Sequence, residues 1–413
     1  MSKKTTIVPI GPYHPLQEEP EFFKLHVEGE RVVHIDIELG YNHRGIEKIS
    51  EAKTFEQAVL LVERICGICS TSHPFACVQA VEDAGDVEVP VRALYIRSLI
   101  GELERIHSHL LWLGLAGHFI GFNTVWMWVW RYRESVLDVF ELISGNRNHY
   151  AMFKPGGVRR DIRNEDIPAI RRMLKGLDGP IKLFRDAIVQ DPVIHARLKG
   201  VGTLTRQQII DYAAVGPTAR ASGVDIDVRR DHPHAAYDKV EWKVITAQNG
   251  DVFDKAVVRI GELFESMKIV EQCIDWLEKS PGSIDANPGQ IKAGEGIGHY
   301  EAPRGEVIHY IRSDGGNRAV RHKIRAPSYV NIATNRESVI GQSVSDATII
   351  LAAVDPCYCC TERMAAVDAA NGRRVLSGDD LIRLSREKTE EIRRELGLPG
   401  PELALEKALR RLG

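Results

Sequence analysis

Two Cys-x-x-Cys pairs carry the strongest chemical signal in this chain. The first is Cys66 with Cys69, flanked by Arg64, Gly67 and His73. The second is Cys357 with Cys360, preceded by Asp355-Pro356 and followed by Thr361, Glu362 and Arg363. Two intervening residues let both thiolates reach one ion from a single turn, and four soft thiolates suit zinc, an iron–sulfur cluster or another soft transition metal. Zinc knuckles of this kind usually lie about 15–20 residues apart. Here 288 positions separate Cys69 from Cys357 (357 − 69). A metal held by both pairs joins the two ends of a large domain. On the cysteines alone a structural zinc, a four-cysteine cluster and a catalytic metal all stay open. Cys77 and Cys273 read as buried apolar residues, and Cys359 faces away from an ion shared by Cys357 and Cys360.

The elements that must position these residues are mostly helical. Residues 5–37 alternate as strands, with Phe23, Leu25 and Val27 on one face and a turn at Gly29-Glu30. From Ala52 the period becomes helical: Leu99, Leu103, Ile106, Leu110 and Leu113 form one apolar face. Residues 131–145 and 165–190 read as helices too. So does Asp254 to Lys279, with Val258, Leu263, Met267, Val270 and Ile274 inward. Gly216 to Tyr237 and Gly282 to Gly298 read as loop, and Tyr300 to Arg312 as a short hairpin strand. The fold class is mainly α with a small N-terminal β-sheet. Residues 1–50 form the β element, 51–363 a helical domain carrying both cysteine pairs, and 364–413 a C-terminal extension.

Composition narrows the partners. Hydrophobic residues at 44% and charged residues at 27% are globular values. Lys+Arg of 54 against Asp+Glu of 57 leaves no basic footprint, so nucleic acid is not an expected partner. Seven cysteines, five of them in two clusters, point to metal or redox chemistry in a reducing compartment. No secretory signal precedes Pro9. Ile106 to Trp130 has no acidic or basic residue except histidine, a length that spans a bilayer. Its three histidines, three glycines, Asn123 and Thr124 favour a buried core helix or helix pair. Work at a membrane then requires a partner.

The flanks sharpen the metal reading. Arg64, Gly67 and His73, with Asp355-Pro356, resemble the two signature motifs of nickel–iron hydrogenase large subunits. Gly11 to Pro15 and His43 to Glu47 resemble N-terminal segments shared by membrane-bound, energy-converting (group 4) hydrogenases and the 49 kDa quinone-side subunit of complex I. Gly101 to His109, Gly156 to Asp161, Gly216 to Arg220 and Gly296 to Gly305 agree. The resemblance covers about residues 8–363. The complex I homologue is similar elsewhere but lacks the four cysteines, which this chain has.

The resemblance implies a nickel–iron centre bound by Cys66, Cys69, Cys357 and Cys360, its iron carrying carbon monoxide and cyanide. Cys69 and Cys360 are then the bridging thiolates, and Cys66 and Cys357 terminal on nickel. It implies that His73 hydrogen-bonds the bridging sulfur, that Arg304 overhangs the open metal positions and that Asp355 orders that arginine. A carboxylate near the N-terminus takes the thiol proton; alignment favours Glu19 over Glu18 and Glu21. Glu47 is the next relay or outer metal candidate. The larger soluble hydrogenases end the second motif in histidine. Arg363 stands there instead, which weakens the case for a magnesium site.

The implied activity is reversible reduction of protons to dihydrogen. Its implied partners are a small iron–sulfur subunit with a 4Fe–4S cluster, antiporter-like and anchor subunits in the membrane, a maturation protease and nickel chaperones. The implied location is peripheral, at the cytoplasmic face of the cell membrane. The rival readings are a hydrogenase-like subunit of a respiratory complex reducing sulfur or quinone, and a zinc-stapled structural subunit. The family protease cuts three residues after the last cysteine, here Arg363–Met364. Beyond it, Ser377-x-x-Asp380 reads as a helix start and Leu381 to Leu396 as a solvated amphipathic helix.

Overall fold

The computed structural model describes residues 5–15, 17–361, 376 and 378–400. Residues 1–362 make one compact unit and residues 363–413 a second. The expected cleavage bond at Arg363–Met364 and Ser377 lie outside the described residues.

The N-terminal sheet is antiparallel, in the order β1 (Thr6–Ile10), β2 (Phe22–Glu28), β3 (Arg31–Glu38). Period-two alternation sets its faces, with Phe23, Leu25 and Val27 buried and Lys24, His26 and Glu28 toward solvent. Helices α1 (Ile46–Glu51) and α2 (Phe55–Glu63) follow. A capping box of Thr54 and Gln57 starts α2 by satisfying its first free N–H groups. Helix α3 (Ser72–Gly85) leaves directly from the first cysteine pair.

Helices α4 (Val91–Phe119) and α5 (Asn123–Ser144) occupy the uncharged stretch as a packed pair. Among the described residues no helix is long and apolar enough to cross a membrane. Helix α4 buries more than its apolar stripe: Glu102, Glu104, Arg105, His107, Ser108 and His109 are buried as well. A small hairpin (β4 Phe153–Lys154, β5 Gly157–Val158) precedes α6 (Ile167–Gln190). Four short helices follow: α7 (Pro192–Leu198), α8 (Arg206–Asp211), α9 (Gly216–Arg220) and α10 (Val228–Asp231). The last two lie in the segment read as loop. Helix α11 (Val252–Lys279) starts at an Asp251 cap and packs on α4; Met267 is only half-buried on it.

The second sheet exceeds the single hairpin strand expected. Strands β6 (Ala293–Ala302), β7 (Gly305–Asp314) and β8 (Ala319–Arg325) form an antiparallel meander. Gly294, Gly296 and Gly298 disguise β6 as loop, but their alternation is what a strand lying on a helix needs. A Cβ at 296 would meet Ala80 O at 2.1 Å, and one at 298 would meet Ala76 O at 2.0 Å. Small residues on both sides thus seat the backbone of α3 against the strand. The chain continues through α12 (Pro327–Asn331), α13 (Asn335–Ser338) and α14 (Val344–Ala353) to a 3-10 turn at Tyr358–Cys360. In the second unit, α15 (Gly378–Glu395) carries exposed Arg383–Glu387 and Lys388–Glu391 pairs, as a solvated amphipathic helix would.

Candidate metal centre

The two cysteine pairs meet. The sulfurs of Cys66, Cys357 and Cys360 lie within 4.8 Å of one another, and Cys69 packs in the same cluster. Cys66, Cys69 and Cys357 are buried and Cys360 is half-buried. Each pair is shaped by its own turn. The Cys66 sulfur accepts from the backbone N–H groups of Ile68 (3.3 Å) and Cys69 (3.2 Å). In the second pair, Cys357 N–H donates to Ser328 Oγ (3.0 Å), Cys360 N–H to Cys357 O (3.2 Å), and the two sulfurs are 2.7 Å apart.

Arg304 and Asp355 close one side. Arg304 lies in the β6–β7 turn, between paired Ala302 and Gly305, and is fully buried. Its Nη1 donates to Cys69 Sγ and to Ser108 Oγ, both at 3.1 Å. Its Nη2 lies 2.7 Å from Asp355 Oδ1. Asp355 takes a left-handed φ of 56°, a conformation that aspartate tolerates better than most residues. Asn331 anchors the arginine's own carbonyl at 3.0 Å. The surrounding negative groups hold the guanidinium firmly protonated.

His73 closes another side, with Nε2 3.4 Å from Cys360 Sγ. Behind it runs a chain that the sequence did not announce. His73 Nδ1 meets His309 Nε2 at 3.1 Å, His309 Nδ1 meets His322 Nε2 at 2.9 Å, and His322 Nδ1 meets Ser50 Oγ at 2.8 Å. Ser50 Oγ also lies 2.7 Å from Glu47 O. A carbonyl only accepts, so the serine proton points there and His322 Nδ1–H donates to Ser50. Neutral imidazoles then align in one sense and leave His73 Nε2 unprotonated toward Cys360, so His73 does not donate to that sulfur, contrary to what the resemblance implies. Burial drives His309 well below the ordinary histidine value and His322 to about 4, which keeps both neutral.

The carboxylates divide. Glu19 is half-buried, and its Oε2 accepts from Cys359 N–H at 2.6 Å. Removal from water, with the nearby Cys66 charge, pushes its carboxyl up to about 7. Glu18 is exposed and lines a cleft of about 340 Å³ whose other walls include Ile68, Leu111, Leu115, Phe119 and Trp130. Glu21 is buried just before β2. Glu47 is engaged elsewhere: it accepts from Ile324 N–H (3.0 Å) and pairs with Lys323 (2.7 Å), tying α1 to β8. Glu104, which the sequence reading did not single out, accepts from Thr71 N–H and Ser72 Oγ at the head of α3, both at 2.5 Å. Burial raises it to about 8.

Several of the flanking segments meet in buried ion pairs. Arg220 pairs with Glu262 (2.8 Å) and Glu301 (2.7 Å), Arg229 with Glu102 (3.0 Å), and His109 with Glu262 (2.8 Å). Buried charges of both signs thus satisfy one another below the cysteines.

The donor set fits a soft cation. Hydrogen bonds from its three neighbours hold the Cys66 thiol well below its ordinary value, while Cys69, Cys357 and Cys360 are driven well above theirs. Four thiols in one buried space cannot all ionise unaided; a metal ion supplies the missing positive charge.

Fold and site together define a mainly helical protein built around a buried cluster of four cysteines that could hold a metal ion. The comparisons agree. Residues 44–115 match the nickel-dependent hydrogenase family, and residues 120–292 and 287–363 match the respiratory-chain NADH dehydrogenase 49 Kd subunit family. The chain is 42% identical to membrane-bound hydrogenase subunit alpha of Pyrococcus furiosus, over 93% of each chain. It is 36% identical to formate hydrogenlyase subunit 5 of Escherichia coli, over 94% of this chain and 68% of that one. A solved chain of the membrane-bound sulfane sulfur reductase, an archaeal respiratory membrane complex, superposes with a TM-score of 0.83 at 29% identity, covering 88% of this chain and 100% of that chain. This chain belongs to the family of nickel–iron hydrogenase large subunits and complex I 49 kDa subunits, on its membrane-bound, group 4 side.

Proposed function

We propose that this chain is the catalytic large subunit of a membrane-bound, energy-converting nickel–iron hydrogenase that reduces protons to dihydrogen reversibly. The observation that carries the reading is the convergence of all four cysteines in one buried cluster beneath Arg304. A quinone-side subunit has no use for four convergent thiols.

Cys66, Cys69, Cys357 and Cys360 would hold the nickel–iron centre through their four thiolates. When bound, that centre, with carbon monoxide and cyanide on iron, supplies the redox chemistry that makes and splits dihydrogen. The chain's own part is positional. Arg304, fixed by Asp355, keeps a cationic, water-poor wall over Cys69. His73 faces Cys360. A thiolate is a base beside the metal, and Glu19, poised near neutrality, takes and returns its proton. The apolar cleft that reaches Ile68, between the first two cysteines, suits passage of a small apolar gas.

Cys77, Cys273 and Cys359 do not form a second four-cysteine set, so electrons come from a small iron–sulfur subunit with a 4Fe–4S cluster. Membrane subunits anchor the assembly, which places this chain peripherally at the cytoplasmic face. Nickel chaperones load the centre, and a protease cuts at Arg363–Met364.

The similarity to a chain of a sulfane sulfur reductase favours a second reading, in which the same pocket reduces sulfur. Metal analysis, infrared spectroscopy and gas measurement on the purified assembly decide between them. The hydrogenase reading expects nickel with at least five irons per nickel (one in the centre, four in the 4Fe–4S cluster), infrared bands of metal-bound carbon monoxide and cyanide, and dihydrogen from a low-potential electron donor. Sulfur reduction with no dihydrogen would establish the second reading instead.

A further inference from the structure

The solvent face of the N-terminal sheet brings together three side chains with metal-binding atoms. β2 and β3 pair antiparallel with His26 directly opposite His34. Asp36, two residues beyond His34 on β3, shares its face. The carboxylate lies between the rings: Asp36 Oδ2 is 2.9 Å from His26 Nε2, and Oδ1 is 3.2 Å from His34 Nε2. One donor atom from each residue lies within 4.8 Å of the other two. The ring centroids are 5.2 Å apart. Lys24, across the pair from Asp36, is held by Glu38 and leaves the carboxylate to the imidazoles.

We propose that His26, His34 and Asp36 form a surface site for a borderline divalent ion of the zinc class. Two imidazoles and a carboxylate are a donor set that zinc accepts, at about 2.0–2.2 Å from each atom. Tetrahedral ligands at that range stand about 3.3 Å apart. The observed separations of 2.9 and 3.2 Å are already close, so small side-chain rotations admit the ion. Both imidazoles offer the same nitrogen inward, and the strand register rather than a mobile loop sets their spacing. His34 is largely exposed, which gives the ion an entry and leaves a fourth position for water. The ion staples β2 to β3, and β2 directly follows the connection that carries Glu18 and Glu19. This site stands independently of the reaction proposed for the cysteine centre.

The test compares zinc uptake by the full-length protein, in its native assembly with the cysteine centre loaded, with that of the variant His26→Asn/His34→Asn. The wild type should take up one zinc more per chain. X-ray absorption of that zinc should show nitrogen and oxygen neighbours at about 2.0–2.1 Å and no sulfur at about 2.3 Å. His34→Asn alone, at a solvated position, should lose the same zinc. Equal uptake by wild type and both variants overturns the proposal. A sulfur shell also overturns it, because the zinc then belongs to cysteines.

Discussion

At the residue scale, the centre depends on groups whose protons are constrained. Desolvation raises both Glu18, to about 8, and Glu19, to about 7, and Glu19 alone of the two keeps a backbone donor at Cys359. Glutamine preserves that acceptor but cannot carry a proton. Glu19→Gln should therefore slow hydrogen–deuterium exchange about 100-fold while nickel content stays unchanged. If Glu18→Gln gives that phenotype and Glu19→Gln does not, the acceptor is the exposed neighbour. The imidazole chain makes a stability prediction. Every ring nitrogen of His309 is paired, to His73 on one side and His322 on the other. His309→Leu strands two buried partners and should lower unfolding stability by about 2–4 kcal/mol, read from denaturant midpoints. Loss under about 1 kcal/mol would mean that the chain relaxes without strain. The two cysteine pairs were legible because their type and spacing stand out in one dimension, and His73, Arg304 and Asp355 through the family resemblance of their flanks. His309, His322 and Ser50 were not. Each is an ordinary polar residue of its strand or helix, and only the packing of α1 and α3 on the paired strands β7 and β8 aligns them.

At the element scale, α3 and β6 decide where the site falls. α3 begins at the first cysteine pair and carries His73, while the β6–β7 turn carries Arg304. Their contact sets the distance between these two side chains. Gly298→Ala would place a Cβ 2.0 Å from Ala76 O, a backbone atom that cannot turn aside. The variant should be destabilised by roughly 3 kcal/mol, near the upper end for overpacking. Nickel occupancy should fall with it, measured on the same preparation. An unaltered denaturation midpoint would show that helix and strand can separate freely. The same glycines explain why β6 was read as loop: glycine disfavours strands in isolation, and only the helix above gives it a use. The long helices were read more accurately, because amphipathic periodicity over 20 or more residues outweighs local ambiguity.

At the scale of the whole molecule, internal titratable groups set the pH range. Burial holds His109 and His322 at about 4, and drives His107 and His309 well down too, against an ordinary 6.5. The unfolded chain binds protons that the folded chain refuses. Their contribution to stability is thus complete above about pH 6.5 and is lost as pH falls toward 4. Glu262, held well below its usual value by Arg220 and His109, acts in the same direction at lower pH. Glu104, raised to about 8, works oppositely: its contribution is complete below about 4.5 and fades as pH rises through 8. Denaturant midpoints should therefore fall steeply below about pH 6, and Glu104→Gln should flatten the gentler alkaline limb. A flat acid limb would mean that these histidines are solvated.

Fold class, the helical spans and the two cysteine pairs follow from the sequence alone, because period and spacing are properties of the linear chain. Bringing Cys69 to Cys357 across 288 positions (357 − 69), turning Arg304 inward from a hairpin, and joining Ser50 to Cys360 through three imidazoles are decided only by tertiary packing. So is the fate of the charged face of α4. The sequence pattern marks Glu102, Arg105 and His109 as polar, and solvent is the default partner for such residues. Arg229, Glu301 and Glu262 replace it because the two helices and the strand β6 that carry them converge there, and a buried charge persists only where another lies within reach.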